Sequence, residues 1–289
     1  MSAGGLGEER YVLAVCQFEP ALFDKRTNLG RIADFAGFAA RDGAKVVVFP
    51  ECCLTGYTTG PEQSRLKDLA EPITAAGTGE SVRALRALAE SLSVYMFCGM
   101  PELVSDAVYN SCVLFFPTGA SPRVFRKVHM WRAEANVFQV GALGSPERGP
   151  RGTIAAMICY DLEFPEAARS LALLGADVIA VSTANMEPWA EHQDVYVRAR
   201  AMENNVHLAL ANCTGPIGNS RSVGASTIVD PYGHVLTRAS TDEEVVLLAE
   251  IDLGKNRVAR SETQYRERRC PSLYETLVEE TPMTATSLP

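Results

Sequence analysis

The feature that most restricts how this chain can fold is a recurring one. Short, strand-length runs rich in β-branched and aromatic residues are separated by longer segments of helical period. The runs are residues 11–18, 45–49, 94–100, 110–116, 153–159, 177–182, 207–212, 225–229 and 245–251, and their length and composition favour extended chain. Several are almost continuously apolar, so neither face of such a strand can meet water, and the sheets they build must be covered on both sides. Between them, residues 28–41 set Ile32, Phe35 and Ala39 on one stripe, and 79–92 do the same with Val82, Leu85 and Leu92. Residues 165–174 open with Pro165 at a first helical position and stop at Gly175, and 191–204 form a fourth helix. Alternation of this kind over most of the chain gives the α/β class.

No Pro/Ser-rich linker, low-complexity tract or internal repeat divides the sequence, so a single domain over 11–253 is expected. A flexible N-terminal segment, 1–10, would precede it. From 254 to 289 the composition turns polar and basic, with Lys255, Arg257, Arg260, Arg266, Arg268 and Arg269. That stretch is expected as a solvated end or as an arm packing on a partner subunit.

With 47% hydrophobic and 21% charged residues, the 289-residue chain is of ordinary globular composition, which excludes disorder and collagen-like architecture. A net charge of −8 works against a broad phosphate-binding surface, so no nucleic-acid partner is expected. No apolar run reaches the ~20 residues needed to span a bilayer. Residues 1–10 are Gly-rich and acidic without an apolar secretory core, so a soluble, cytoplasmic protein without membrane partners is expected. Eight cysteines (Cys16, Cys52, Cys53, Cys98, Cys112, Cys159, Cys213 and Cys270) lie scattered without C-x-x-C pairs, and there are 4 histidines. They read as reduced thiols, with no metal site.

In open α/β architectures reactive groups gather where strands end. Three such places stand out. The run 45–49 leads through Pro50 to Glu51, a carboxylate that burial would turn into a usable general base. The run 153–158 leads to Cys159, then Tyr160, Asp161 and a helix opened by Pro165, and a thiol at that junction lies near amide N–H groups that favour a thiolate and bind an oxyanion. Val124 and Phe125 lead to Arg126, Lys127 and His129, where a lysine beside a carboxylate and a thiol would hold both ionised. Taken singly, each has an ordinary structural reading: a surface glutamate opening a loop, one buried thiol among several, a lysine on a solvated basic face.

The ordered combination of Phe49-Pro50-Glu51, Arg126-Lys127-Val128-His129 and Cys159-Tyr160-Asp161 resembles the nitrilase superfamily of carbon–nitrogen hydrolases. Further fragments carry the likeness: Gln17 in the opening strand, Leu54-Thr55-Gly56-Tyr57, Arg200-Ala201-Met202-Glu203-Asn204 before a strand ending at Asn212, and Asp230-Pro231-Tyr232-Gly233. The resemblance implies a four-layer α-β-β-α sandwich, a homodimer or larger assembly with the helices near Pro165 and Glu191 at the interface, and no cofactor. It implies a Glu51, Lys127, Cys159 triad, with the backbone N–H of Tyr160 at the oxyanion and Glu134 as a second glutamate that positions the lysine or the substrate.

Cys159-Tyr160-Asp161-Leu162-Glu163-Phe164-Pro165-Glu166 looks like the amidase branch rather than the Cys-Trp-Glu of nitrile-cleaving members. The implied activity is hydrolysis of a small aliphatic or amino-acid amide to an acid and ammonia through a thioester. An N-carbamoyl amide hydrolase with the same triad is the alternative, and a catalytically silent scaffold or binding subunit is the reading from another class. Tyr57, Trp131, Asn185 and Trp189, in loops that follow these strands, are candidates for the substrate pocket or for local packing.

Overall fold

The computed structural model describes residues 9–74 and 79–279. In chain order the strands are β1 (Arg10–Gln17), β2 (Ala44–Val48), β3 (Tyr95–Val104), β4 (Ala107–Phe115), β5 (Arg123–Arg126), β6 (Glu147–Arg148), β7 (Thr153–Ile158), β8 (Val178–Thr183), β9 (His207–Asn212), β10 (Pro216–Ile217), β11 (Ser220–Arg221), β12 (Thr227–Val229), β13 (Val235–Arg238) and β14 (Val245–Asp252). The helices are α1 (Lys25–Arg41), α2 (Glu80–Leu92), α3 (Pro165–Leu173), α4 (Ala190–Asn204) and α5 (Leu253–Thr263).

Two six-stranded sheets form, in the orders β14-β1-β2-β3-β4-β5 and β13-β12-β9-β8-β7-β6. Read from opposite edges, both show one antiparallel pair, two parallel pairs and two further antiparallel pairs. The sequence carries no visible repeat to match. Pairing pattern depends on backbone direction, which many sequences can satisfy.

Strand β1 shows how one run serves two layers. Leu13 and Val15 pack with Ile154, Ile158 and Val181 of the second sheet. Ala14 and Cys16 point the other way, onto Ile32 and Ala36 of α1 and Leu85 of α2. On the far side of the second sheet, Ala168 and Leu171 of α3 and Val197 and Ala201 of α4 complete the fourth layer. Each fully buried Val or Leu in these layers contributes ~1.5–3 kcal/mol, so a near-continuous apolar strand is stable only between two covers. The four-layer α-β-β-α sandwich follows.

Local chemistry adjusts the element ends. Helix α1 begins at Lys25, ahead of its apolar stripe, because the Asp24 carboxylate accepts the Thr27 N–H at 3.0 Å and caps it. Strands β5, β6, β10, β11 and β13 were not expected as strands; each is four residues or fewer, held by pairing with a neighbour rather than by its own period. Of the N-terminal segment 1–10, residues 1–8 lie outside the described residues, while Arg10 opens β1 and Glu9 pairs with Arg257. The polar stretch from 254 onward does not start as a solvated end. It begins in α5, where Asn256 Nδ2 donates to Asp177 O at 2.7 Å and Arg260 pairs with Asp177 at 2.8 Å. Residues 280–289 lie outside the described residues.

Candidate active site

Glu51 follows β2 and Lys127 follows β5 in one sheet, and Cys159 follows β7 in the other. The two sheets are tied together beside them: Ser182 Oγ donates to Phe49 O at 2.8 Å. The loop carrying Glu51 lies so close to β3 that a Cβ on Gly99 would stand 2.5 Å from Pro50 O and from Cys52 N, so only glycine fits there.

Neither charged residue is where its ordinary reading would put it. Glu51 and Lys127 are each 1% exposed. The basic cluster around Lys127 divides in three directions. Arg126 leaves the site to pair with Glu102 at 2.7 Å. His129 stacks on Phe164 with ring centroids 3.6 Å apart, and its Nδ1 lies 2.8 Å from Asp161. Lys127 alone turns inward, to Glu51 and Glu134.

Buried charges demand partners, and here they have them. Lys127 Nζ donates to Glu51 Oε1 at 2.9 Å and lies 2.8 Å from Glu134 Oε2 and 2.9 Å from its Oε1. Glu51 also accepts from Asn110 Nδ2 at 2.6 Å and from the Ala184 N–H at 3.0 Å. Glu134, 1% exposed, accepts from the Tyr57 hydroxyl at 2.7 Å and from the Trp131 N–H at 2.6 Å. The second glutamate is therefore in direct contact with the lysine.

Cys159 opens a 3-10 turn, Cys159–Glu163, with φ at +47°, the left-handed conformation that bends the chain sharply out of β7. Tyr160, the expected oxyanion donor, is the next residue of that turn. Asp161 clamps it: the carboxylate accepts from Ile158 N (3.3 Å), Val128 N (3.2 Å) and His129 N (2.9 Å), fastening the thiol-bearing turn to the loop that carries Lys127. Arg200 holds the far side, donating to Leu162 O at 2.9 Å and Glu163 O at 2.8 Å.

The electrostatics follow from burial and proximity. Burial lifts Glu51 above its ordinary carboxylate range; Lys127 opposes that and Glu134 reinforces it. Burial pulls the Lys127 ammonium down, but Glu134 and Glu51 together outweigh it and leave it well above its usual value. The Cys159 thiol is pushed up by burial and by Glu51 more than Lys127 and a Thr183 hydrogen bond bring it down. The net direction is upward, opposite to what amide N–H groups alone would favour. All eight cysteines are free, with Cys159 half-buried, Cys270 exposed and the others buried.

All four pocket candidates line the space above the thiol. Tyr57, Trp131, Asn185 and Trp189 join Cys159, Tyr160 and Glu163 around a narrow cavity of about 20 Å³. Tyr57, Trp131 and Trp189 also border a wider vestibule of about 420 Å³ with Gln63, Arg132 and Glu187. Asn185 has structural work too, since its Nδ2 donates to Trp189 O at 3.2 Å at the start of α4. Sequence reasoning missed Asn110, Asp161 and Arg200 as positioning groups. For Asn110 a signal existed, a polar residue inside an otherwise apolar strand.

Among the described residues no group of three or more His, Cys, Asp or Glu side chains is arranged to hold a metal ion. None of their helices is long and apolar enough to cross a membrane.

The chain is 34% identical over 250 residues to the (R)-stereoselective amidase of Pseudomonas sp, covering 85% of this chain and 86% of that protein. It is likewise 34% identical over 243 residues to a nitrilase of Pyrococcus abyssi, covering 83% and 89%. The crystal structure of Saccharomyces cerevisiae Nit3, a nitrilase-superfamily member, superposes with a TM-score of 0.82 at 28% identity, covering 91% of this chain and 97% of that one. The family profile described as carbon-nitrogen hydrolase matches residues 12–261, which includes every strand-end residue assembled above. With fold, sequence and family profile in agreement, the chain belongs to the carbon–nitrogen hydrolases of the nitrilase superfamily.

Proposed function

We propose that the protein is a thiol amidase that cleaves the carbon–nitrogen bond of a small aliphatic or amino-acid amide, giving a carboxylic acid and ammonia. One observation carries the reading: a buried Glu51–Lys127–Glu134 network acts electrostatically on a half-buried thiol that lines a narrow pocket. The likeness to an amidase from Pseudomonas sp supports it.

In this reading Glu51 takes the Cys159 proton as the sulfur attacks the carbonyl carbon, and the carbonyl electron pair moves onto oxygen. The Lys127 ammonium has three N–H donors; two carboxylates engage it, and the remaining donor, with the Tyr160 N–H, holds the oxyanion. Such a donor is worth ~3 kcal/mol. The carbonyl re-forms, the C–N bond breaks, and Glu51 returns its proton to the departing nitrogen as ammonia leaves. A thioester remains. Water then gives a proton to Glu51 and attacks the thioester, the C–S bond breaks, and Glu51 reprotonates the sulfur. Glu134 keeps Lys127 charged and in position. Tyr57, Trp131, Asn185 and Trp189 enclose the substrate.

The test is an ammonia-release screen over short aliphatic amides, amino-acid amides, N-carbamoyl amino acids and nitriles. Amides should be hydrolysed fastest. Turnover confined to N-carbamoyl substrates, with carbon dioxide released alongside ammonia, would make the protein a carbamoylase. Absence of turnover on every class would leave the silent-subunit reading.

The homodimer belongs to the same proposal. Leu173 and Leu174 at the end of α3 and Val195 and Met202 on α4 leave apolar side chains exposed on the outer helical layer. Light scattering should give twice the mass of one chain, and a monomer at micromolar concentration would remove the dimer.

A further inference from the structure

We propose that the pocket above Cys159 selects amides that carry a positive charge, with the Glu163 carboxylate pairing with the substrate's ammonium. The inference rests on the amidase reading and narrows its substrate class.

Glu163 closes the turn that Cys159 opens, so nucleophile and carboxylate ride on one rigid piece of backbone. It is half-buried and lines both the narrow cavity above the thiol and an adjoining one bounded by Gln193 and Tyr196. Among the described residues, no ion pair or hydrogen bond takes up its side chain. His192, Arg200 and Lys127 act on it only through their charge. Arg200 gives its donors to the backbone carbonyls of Leu162 and Glu163 and to the Glu203 carboxylate. Lys127 is shared between Glu51 and Glu134. Burial accordingly raises the Glu163 pKa.

A carboxylate drawn out of water without a partner is destabilised, and a ligand cation relieves that. The surrounding walls favour the same ligand. Trp131 meets Tyr160 edge to face at 5.0 Å and Trp189 at 5.8 Å, a cluster of rings whose π-faces attract an ammonium. An amide bearing a carboxylate would meet Glu163 as a like charge with no free cation in the narrow cavity to offset it. In the outer vestibule Arg132 and Glu187 offer one charge of each sign and so no net preference.

The experiment compares kcat/KM for ammonia release from β-alaninamide, butyramide and succinamate, which share a length and differ in charge. The wild-type protein should prefer them in that order. Glu163→Gln should lower the ratio of β-alaninamide to butyramide by about 10- to 100-fold, mainly through KM. Glu163→Asp should keep part of the ratio, and Glu163→Lys should turn the preference toward succinamate. A wild-type ratio at or below one overturns the inference, and so does a Glu163→Gln variant that slows all three amides equally. Should the variants fail to fold, the wild-type ratio and its fall with added salt decide the matter. Turnover of butyramide and succinamate without β-alaninamide sinks this inference alone. No ammonia from any amide sinks the amidase reading and the inference with it.

Discussion

The Lys127 ammonium lies 2.9 Å from Oε1 of Glu51, and neither side chain is reached by water. Because the same ammonium also touches Glu134, one cation separates two buried carboxylates. Removing it exposes each to the other. Lys127→Ala should therefore lose at least ~3 kcal/mol of transition-state stabilisation, on the order of 100-fold in kcat/KM. It should also destabilise the fold by ~3–5 kcal/mol, read from urea unfolding. A near-normal rate would mean that the oxyanion is held elsewhere.

The coupling between the two glutamates has a sign. Burial and Glu134 both raise Glu51, so the acid limb of kcat/KM, set by ionisation of the base, should lie above 4.5, the ordinary value of a glutamate. Replacing Glu134 by Gln removes a negative neighbour and leaves Lys127 to Glu51, and each change makes ionisation of Glu51 easier. The limb should move to lower pH. A pH–rate profile of Glu134→Gln with an unmoved or raised limb would remove Glu51 as the base.

Asp161 lines neither the narrow cavity nor the vestibule, yet it ties the turn of Cys159 to the loop of Lys127. In Asp161→Ala the N–H groups of Ile158, Val128 and His129 lose their acceptor. An unsatisfied buried donor costs ~1–3 kcal/mol, so a loss of ~3 kcal/mol in unfolding free energy is expected, with kcat falling more than KM rises. Unchanged stability would show that the clamp is replaced by other partners.

The thiols give an internal control, because Cys159 is half-buried under the influence of the Glu51 charge and Cys270 is exposed. Iodoacetamide should label both in the wild-type protein, and mass spectrometry of peptides separates them. Glu51→Gln should slow labelling at Cys159 by about 10-fold or more and leave Cys270 unaffected. Cys159→Ala should end ammonia release without changing the unfolding midpoint. Equal slowing at both sulfurs, or residual turnover in the alanine variant, would detach Cys159 from the mechanism.

Much of this was legible in the chain itself. The α/β class, most strands, the four main helices and the three strand-end residues follow from local patterns, because strand and helix periods and Pro or Gly stops act over a few residues. The strands that were missed, β5, β6, β10, β11 and β13, are too short for a period to register and exist because a neighbour offers its edge.

What local pattern could not supply is burial and partnership. Lys127 sits in a run with Arg126 and His129 that reads as a solvated basic face, and its contact with Glu51 spans 76 residues of sequence. Only the packing of one sheet on the other turns that lysine inward, encloses both glutamates, and brings the turn of Cys159 to Asp161's anchors on the lysine loop. The sequence determined which reactive groups stand at strand ends. The tertiary structure decided which of them meet, because electrostatic and hydrogen-bond energies depend on distance in space and on exclusion of water, and neither is a function of separation along the chain.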